Sequence, residues 1–282
     1  MAKAGTAEEV RGTWEEAAAG YAKWDTQLAT GLTGPTKLMF EMARLRQGQH
    51  VLDLACGAGG QTVLAANLLG GTGKVVAVDI SATMLEHSRK QVARTGYKNV
   101  EFVEAPAEDL PLADNTFDAA ICRLGVMLFP DPESGLASVA RVLRPGARLG
   151  ALVFSTPDRN AYMARSMEIL RGHAGQPVLP PRQPGVFALG EPGCIEGLLE
   201  GAGFAEVETR IATSVLKLES AANALQIMRQ AFGAFRAVIS ELGEAEQEAA
   251  WAEVGDYLAS LEGPAGFEAE RTFIVASGAK PG

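Results

Sequence analysis

The hydrophobic positions of the chain change their period several times, and each change marks an element. Up to residue 10 small and polar residues dominate, which predicts a frayed end. From Thr13 to about Arg46 apolar residues recur at helical spacing, with a break near Gly31-Leu32-Thr33-Gly34-Pro35, so two helices are expected. The first carries Trp14, Tyr21 and Trp24. The second is made apolar by Leu38, Phe40, Met42 and Leu45. Short apolar runs then alternate with helical stretches. Strands are predicted at Val51–Leu54, Lys74–Val78, Val100–Val103, Phe117–Cys122 and Arg148–Phe154, with helices at Gln61–Leu69, at Ala82–Thr95 and after Asp131. Ser81 suits the N-cap of the middle helix and Gly96 its end, while Asp131 with Pro132 opens the third. Such βα alternation from His50 to about Ser155 is the signal of a parallel sheet.

Past residue 156 the regularity breaks. Pro157–Leu170 reads as an extra helix, and a Pro-rich stretch from Pro177 to Pro184 is too long for a routine connection. Phe187–Ala202 reads as the next core helix, followed by a strand at Glu206–Val215. Leu225, Met228, Phe232, Phe235, Ile239 and Leu242 recur at helical spacing, as do Trp251, Val254, Leu258 and Leu261, which suggests a hairpin of two amphipathic helices. Arg271–Ala276 supplies a last strand. The chain therefore divides into N-terminal helices (1–47), a regular core (48–156) and a remainder (157–282). Two helical insertions, at about 157–190 and 218–262, interrupt that remainder. Insertions at such positions act as lids or substrate walls.

The first strand carries the chemistry. Val51-Leu52-Asp53-Leu54-Ala55-Cys56-Gly57-Ala58-Gly59-Gly60 is a strand, a Gly-rich turn and a helix N-terminus, a cradle for a nucleotide-like ligand. The second strand ends at Asp79, where a carboxylate can accept both hydroxyls of a ribose, so an adenosine ligand is expected. The dinucleotide fingerprint G-x-G-x-x-G fails, because counting from Gly57 its third position is Thr62. Asp53 would repel a pyrophosphate and favour an ammonium group. The pattern D-x-A-x-G-x-G followed by Asp79 resembles the first two motifs of class I S-adenosylmethionine-dependent methyltransferases, of the small-molecule, ubiquinone/menaquinone type. Ala55 stands where that family usually has its first Gly.

The resemblance extends to Leu143-Arg144-Pro145-Gly146 before the fifth strand and covers roughly residues 48–156. It implies an α/β fold, a doubly wound, seven-stranded, mostly parallel Rossmann-like sheet, with the last strand antiparallel beside the fifth and an added helical cap. It also implies S-adenosylmethionine as cofactor, held by Asp53, Ala55, Gly57, Gly59, Asp79, Ile80 and Met84. In the third motif Pro106 replaces an acidic residue and has no N–H to offer. Ala107 and Glu108 are therefore the candidates for the adenine edge. Tyr21 and Trp24 either pack against the core or close over the ligand. Arg123, at the end of the fourth strand, either pairs with the methionyl carboxylate or an acidic substrate or forms a structural ion pair. Trp24, Met127, Tyr162 and Phe187 are the candidates to face substrate.

Composition narrows the partners. The 282 residues carry a net charge of −9 with no Lys/Arg cluster longer than a pair, which argues against nucleic acid. The expected partner is a small molecule, and the chain itself is expected to be a monomer or a homodimer. Cys56, Cys122 and Cys194 lie far apart without metal spacing and suit a reducing cytoplasm. No apolar run approaches membrane-spanning length. Of the three histidines, His50 opens a strand and His87 sits among charges on an outer helix. His173 is the only one placed to act as a base, although a lone histidine in a polar loop is more often a solvated side chain. Phe- and Met-rich insertions favour an apolar metabolite such as a quinone, polyketide or sterol. The expected reaction is transfer of a methyl group to O, N or C. A non-methylating, cyclase-like relative or a nicotinamide oxidoreductase is the alternative.

Overall fold

Among the described residues, six strands run in one direction along the central sheet, in the order β3-β2-β1-β4-β5-β8-β6, and only β8 in this row opposes them. The computed structural model describes residues 6–177 and 183–282. The strands are β1 (His50–Leu54), β2 (Lys74–Asp79), β3 (Val100–Glu104), β4 (Phe117–Arg123), β5 (Leu143–Phe154), β6 (Ala205–Leu218) and β8 (Gly266–Ala279). A two-residue strand, β7 (Glu262–Gly263), pairs with the start of β8 as an eighth strand outside this row. Val51, Leu52, Val75, Val78, Ala119, Ile121, Leu149 and Leu152 are fully buried, as expected for a sheet covered on both faces. The covering helices are α4 (Gly60–Leu69), α5 (Ala82–Thr95), α6 (Pro132–Val142) and α8 (Cys194–Gly201) on the core connections, with α3 (Thr33–Met42) packed on β5 and β8.

β8 lies beside β5, with Phe273 opposite Phe154. Because β8 is antiparallel, its beginning stands at the carboxyl ends of the parallel strands. Ligands of open α/β sheets bind at that edge.

A second group of helices consists of α1 (Ala7–Lys23), α2 (Asp25–Ala29), α7 (Ala161–His173), α9 (Ala221–Ala231), α10 (Gly233–Val238) and α11 (Glu244–Ala259). α1 packs on α5, α9 and α10, and α11 packs on α7 and α9. The crossing of α1 and α9 is so close that a Cβ on Gly20 would fall 2.8 Å from the Gln230 Cβ and strike its backbone, so only glycine fits.

Four expectations about elements are corrected. The chain is helical from Ala7, because Thr6 and Glu9 form a capping box that satisfies two free amides. Among the described residues, three α-helices, not two, precede β1. The core helix expected from Phe187 begins only at Cys194, because Pro192-Gly193 breaks the pattern and Gly193 takes a left-handed conformation as N-cap. The second insertion holds three helices, since the chain bends at Phe232 between α9 and α10. Of the Pro-rich stretch, residues 178–182 lie outside the described residues.

Candidate active site

The turn after β1 is shaped by its backbone. Ala55 and Gly57 both have positive φ, 51° and 55°, and Gly59 caps α4 at 95°. Ala55 adopts with a Cβ the conformation for which a glycine is usual, at a cost of about 1–2 kcal/mol. The reversed peptides bring the Gly57 N–H to the Asp79 carboxylate, which accepts it through Oδ2 at 2.8 Å. Oδ1 accepts the Ser81 N–H at 3.0 Å. Burial pushes Asp79 up to about 6, against the lowering effect of these backbone donors.

Beyond this turn a cavity of about 170 Å³ runs along the carboxyl edge of the sheet. It gathers most of the expected cofactor set: Tyr21, Ala55, Gly57, Asp79, Ile80, Met84, Ala107, Glu108 and Arg123 all line it. Met127 and Tyr162 line it too. A neighbouring chamber of about 550 Å³ shares the walls Val10, Trp14, Leu128, Val186 and Ala234.

Five expected residues lie elsewhere. Asp53 is wholly buried behind the turn, its Oδ2 accepting the Thr62 hydroxyl at 2.6 Å and its Oδ1 the Gln61 side-chain amide. Burial outweighs these two donors and pushes it up to about 7. Gly59 does not line the cavity; a Cβ there would fall 2.9 Å from the Ser88 Cα, so this glycine serves the close packing of α4 on α5. Trp24 turns toward α9, where its Nε1–H donates to Gln230 Oε1 at 2.9 Å. Phe187 lines the neighbouring chamber and meets Phe154 edge-on, with ring centroids 6.3 Å apart. His173 is at the C-terminal end of α7 and not in a loop; its Nε2 lies 2.9 Å from Glu253 Oε2, away from the cavity. The nearest groups to the cavity thus include no histidine.

Arg123 donates to Thr36 Oγ1 at 3.2 Å and makes no ion pair with a carboxylate among the described residues. Asp25 and Asp53 nevertheless feel its charge. Among the contributors that escaped the sequence reading are Phe235 in α10 and Arg271, the sixth residue of β8; both line the cavity. A charged residue opening an otherwise apolar strand was the available signal for Arg271.

The strand-turn-helix cradle, the buried acid after β2 and the apolar cavity at the strand ends suit an adenosine sulfonium ligand: a carboxylate for ribose, close backbone and apolar walls. The sequence model of the ubiE/COQ5 methyltransferase family matches residues 12–171, from α1 to near the end of α7. The chain belongs to the ubiE/COQ5 methyltransferase family. It is 38% identical over 176 residues to the ubiquinone/menaquinone biosynthesis C-methyltransferase UbiE of an Enterobacter species, a match covering 60% of this chain and 70% of that one. The YcgJ protein of Bacillus subtilis has a similar fold, with a TM-score of 0.59 and 19% identity over 88% of this chain and 99% of that one. The [4+2]-cyclase SpnF is also similar in fold, with a TM-score of 0.55 and 20% identity, covering 88% of this chain and 80% of that one.

This member of the ubiE/COQ5 family is accordingly an S-adenosylmethionine-dependent methyltransferase that acts on a small-molecule metabolite. The oxidoreductase and non-methylating readings are not favoured. No helix among the described residues is long and apolar enough to cross a membrane.

Proposed function

We propose that the chain methylates a ring carbon of a small, largely apolar quinol-type metabolite, with the cofactor lying along β1, β2 and β3. The observation that carries this reading is the buried Asp79 carboxylate beside the glycine turn, in the wall of a largely apolar cavity. Asp79 would accept the ribose hydroxyls, and the Gly57 region would let the cofactor approach the backbone closely. Ile80 and Met84 would pack on the adenine, with Ala107 and Glu108 at its polar edge. Arg123 and Tyr21 would face the amino-acid end. Bound there, S-adenosylmethionine supplies a methyl group on a good sulfonium leaving group.

The side chains of the cap have a simpler task. Met127, Tyr162, Phe235 and the other apolar walls hold the acceptor in line and exclude water, which is most of what such a displacement asks of a protein. The helical insertions thus form the substrate cap. Carbon as the acceptor atom is supported by the name of the UbiE relatives, which are C-methyltransferases.

Incubation with S-adenosylmethionine and a panel of reduced benzo- and naphthoquinones tests the reading. Formation of S-adenosylhomocysteine with a C-methylated product is expected. Methylation of the quinol oxygens only, or of none of the panel, would overturn it.

A further inference from the structure

Arg271 is a buried cation with no buried anion beside it. Its side chain is only 3% exposed, yet among the described residues no carboxylate comes within ion-pair distance. Its protein partners are neutral: Nε donates to Ser214 Oγ at 3.2 Å and Nη2 to the carbonyl of Thr30. Nη1 has no protein acceptor among the described residues. A guanidinium in this position is costly unless something negative joins it. The groups whose charge it feels are Tyr162, Arg123 and Tyr21, two phenols and a second cation. Arg123, by contrast, acts on the carboxylates Asp25 and Asp53.

Tyr162 shares this end of the cavity. It is 4% exposed, and its hydroxyl has no protein partner among the described residues. Burial pushes it up to about 12, so it stays a neutral donor. Asn160 ties the two segments together: its Nδ2 donates to the Thr272 carbonyl at 3.0 Å and its Oδ1 accepts the Thr272 N–H at 3.0 Å. Tyr162 is two residues past Asn160 and Arg271 one before Thr272, so the start of α7 and the first half of β8 are locked together. The surrounding walls are Phe154, Met163, Leu216, Phe232 and Phe235. A planar apolar ring carrying one negative oxygen matches such a site.

We propose that Arg271 and the Tyr162 hydroxyl bind the methyl acceptor as an oxyanion, the ionised form of an enol or phenol conjugated with the accepting carbon. The assignment rests on the reading of the cavity as a methyltransferase site with an aromatic acceptor. It also accounts for the lack of a histidine there. A guanidinium and a neutral hydroxyl that hold the ionised acceptor take over the need for a separate base on the protein. Of the carboxylates that line the same cavity, Asp79 ends β2, across β1, β4 and β5 from Arg271, and Glu108 accepts the Asp131 N–H at 3.3 Å.

The test uses two dyes of nearly one shape. 2-Hydroxy-1,4-naphthoquinone is an acidic enol, ionised at neutral pH, and 2-methoxy-1,4-naphthoquinone is its neutral methyl ether. Each is titrated calorimetrically into the full chain, with and without saturating S-adenosylhomocysteine. The wild-type protein should bind the anion about tenfold or more tightly than the ether. Arg271→Met should abolish that preference, Arg271→Lys should retain part of it, and Tyr162→Phe should reduce it. All three should bind S-adenosylhomocysteine as the wild type does. Equal wild-type binding of the two dyes, or binding of neither, overturns the proposal without any variant having to fold. A preference that survives in folded Arg271→Met overturns it as well. So does an equal loss of S-adenosylhomocysteine affinity in that variant, which would place Arg271 on the cofactor carboxylate. Failure to bind S-adenosylhomocysteine with the anion preference intact would overturn the cofactor reading alone.

Discussion

Asp79 Oδ2 and the Gly57 N–H meet at 2.8 Å across the turn that opens the cavity, so one carboxylate orders the turn and is also proposed to meet the ribose. The ionised acid accepts both that amide and the Ser81 amide more strongly than the neutral acid does. Burial has raised it to about 6. Lowering the pH through that value should therefore weaken S-adenosylmethionine binding, and raising it above 7 should leave affinity level. Titrations between pH 5 and 8 check this, and an affinity that rises on acidification contradicts it.

Asp53 makes the opposite kind of contribution, to stability. Its folded-state value of about 7 lies above the 3.8 of an exposed aspartate, so the folded chain holds this proton more tightly than the unfolded chain does. The resulting stabilisation is fully present below about pH 4 and is lost as the pH climbs to 7, by up to about 1.4 kcal/mol per pH unit. Asp53→Asn keeps the shape and can donate to Gln61 Oε1, a buried atom that has no partner. Denaturant unfolding from pH 4 to 8 should show the variant gaining on the wild type as pH rises. Parallel profiles would contradict the assignment.

Gly59 is needed for packing and conformation rather than for ligand. Gly59→Ala would place a Cβ against Ser88 at a φ of 95°. The conformational penalty of about 1–2 kcal/mol, with the clash added, should lower the melting temperature by several degrees. Thermal unfolding reads this directly; an unchanged midpoint would show that α4 and α5 part easily.

Trp24 and His173 lie outside the cavity, and their variants should say so. Trp24→Phe removes the bond to Gln230 and should destabilise the chain by about 0.5–1.5 kcal/mol, with cofactor affinity unchanged. His173→Gln should leave the rate of S-adenosylhomocysteine formation within about twofold, since its partner is Glu253 on α11 and no reacting group lies near. A hundredfold loss of rate would make His173 a base after all.

The core was legible because its strands are continuous apolar runs separated by caps and glycines, and Asp79, Gly57 and Arg123 followed from their places at strand ends. Side-chain direction was not legible. Asp53 sits in the motif strand, yet period-2 alternation sends its carboxylate away from the cavity, to Gln61 and Thr62. Trp24 and Phe187 read as site aromatics, but tertiary packing took one to Gln230 and the other to Phe154. Arg271 needed the topology itself: only when β8 runs antiparallel beside β5 does its first half stand over the carboxyl edge. The Thr6–Glu9 capping box was written in the sequence and locates the true start of α1.

The most direct test of the account is calorimetric titration of S-adenosylmethionine into the wild-type chain and into Asp79→Ala, with NAD as a control. Losing hydrogen bonds to a charged group should weaken binding by about 1.5–3 kcal/mol, roughly tenfold or more, while NAD gives no heat. Equal affinity of the two proteins for S-adenosylmethionine would contradict the placement of the cofactor on Asp79.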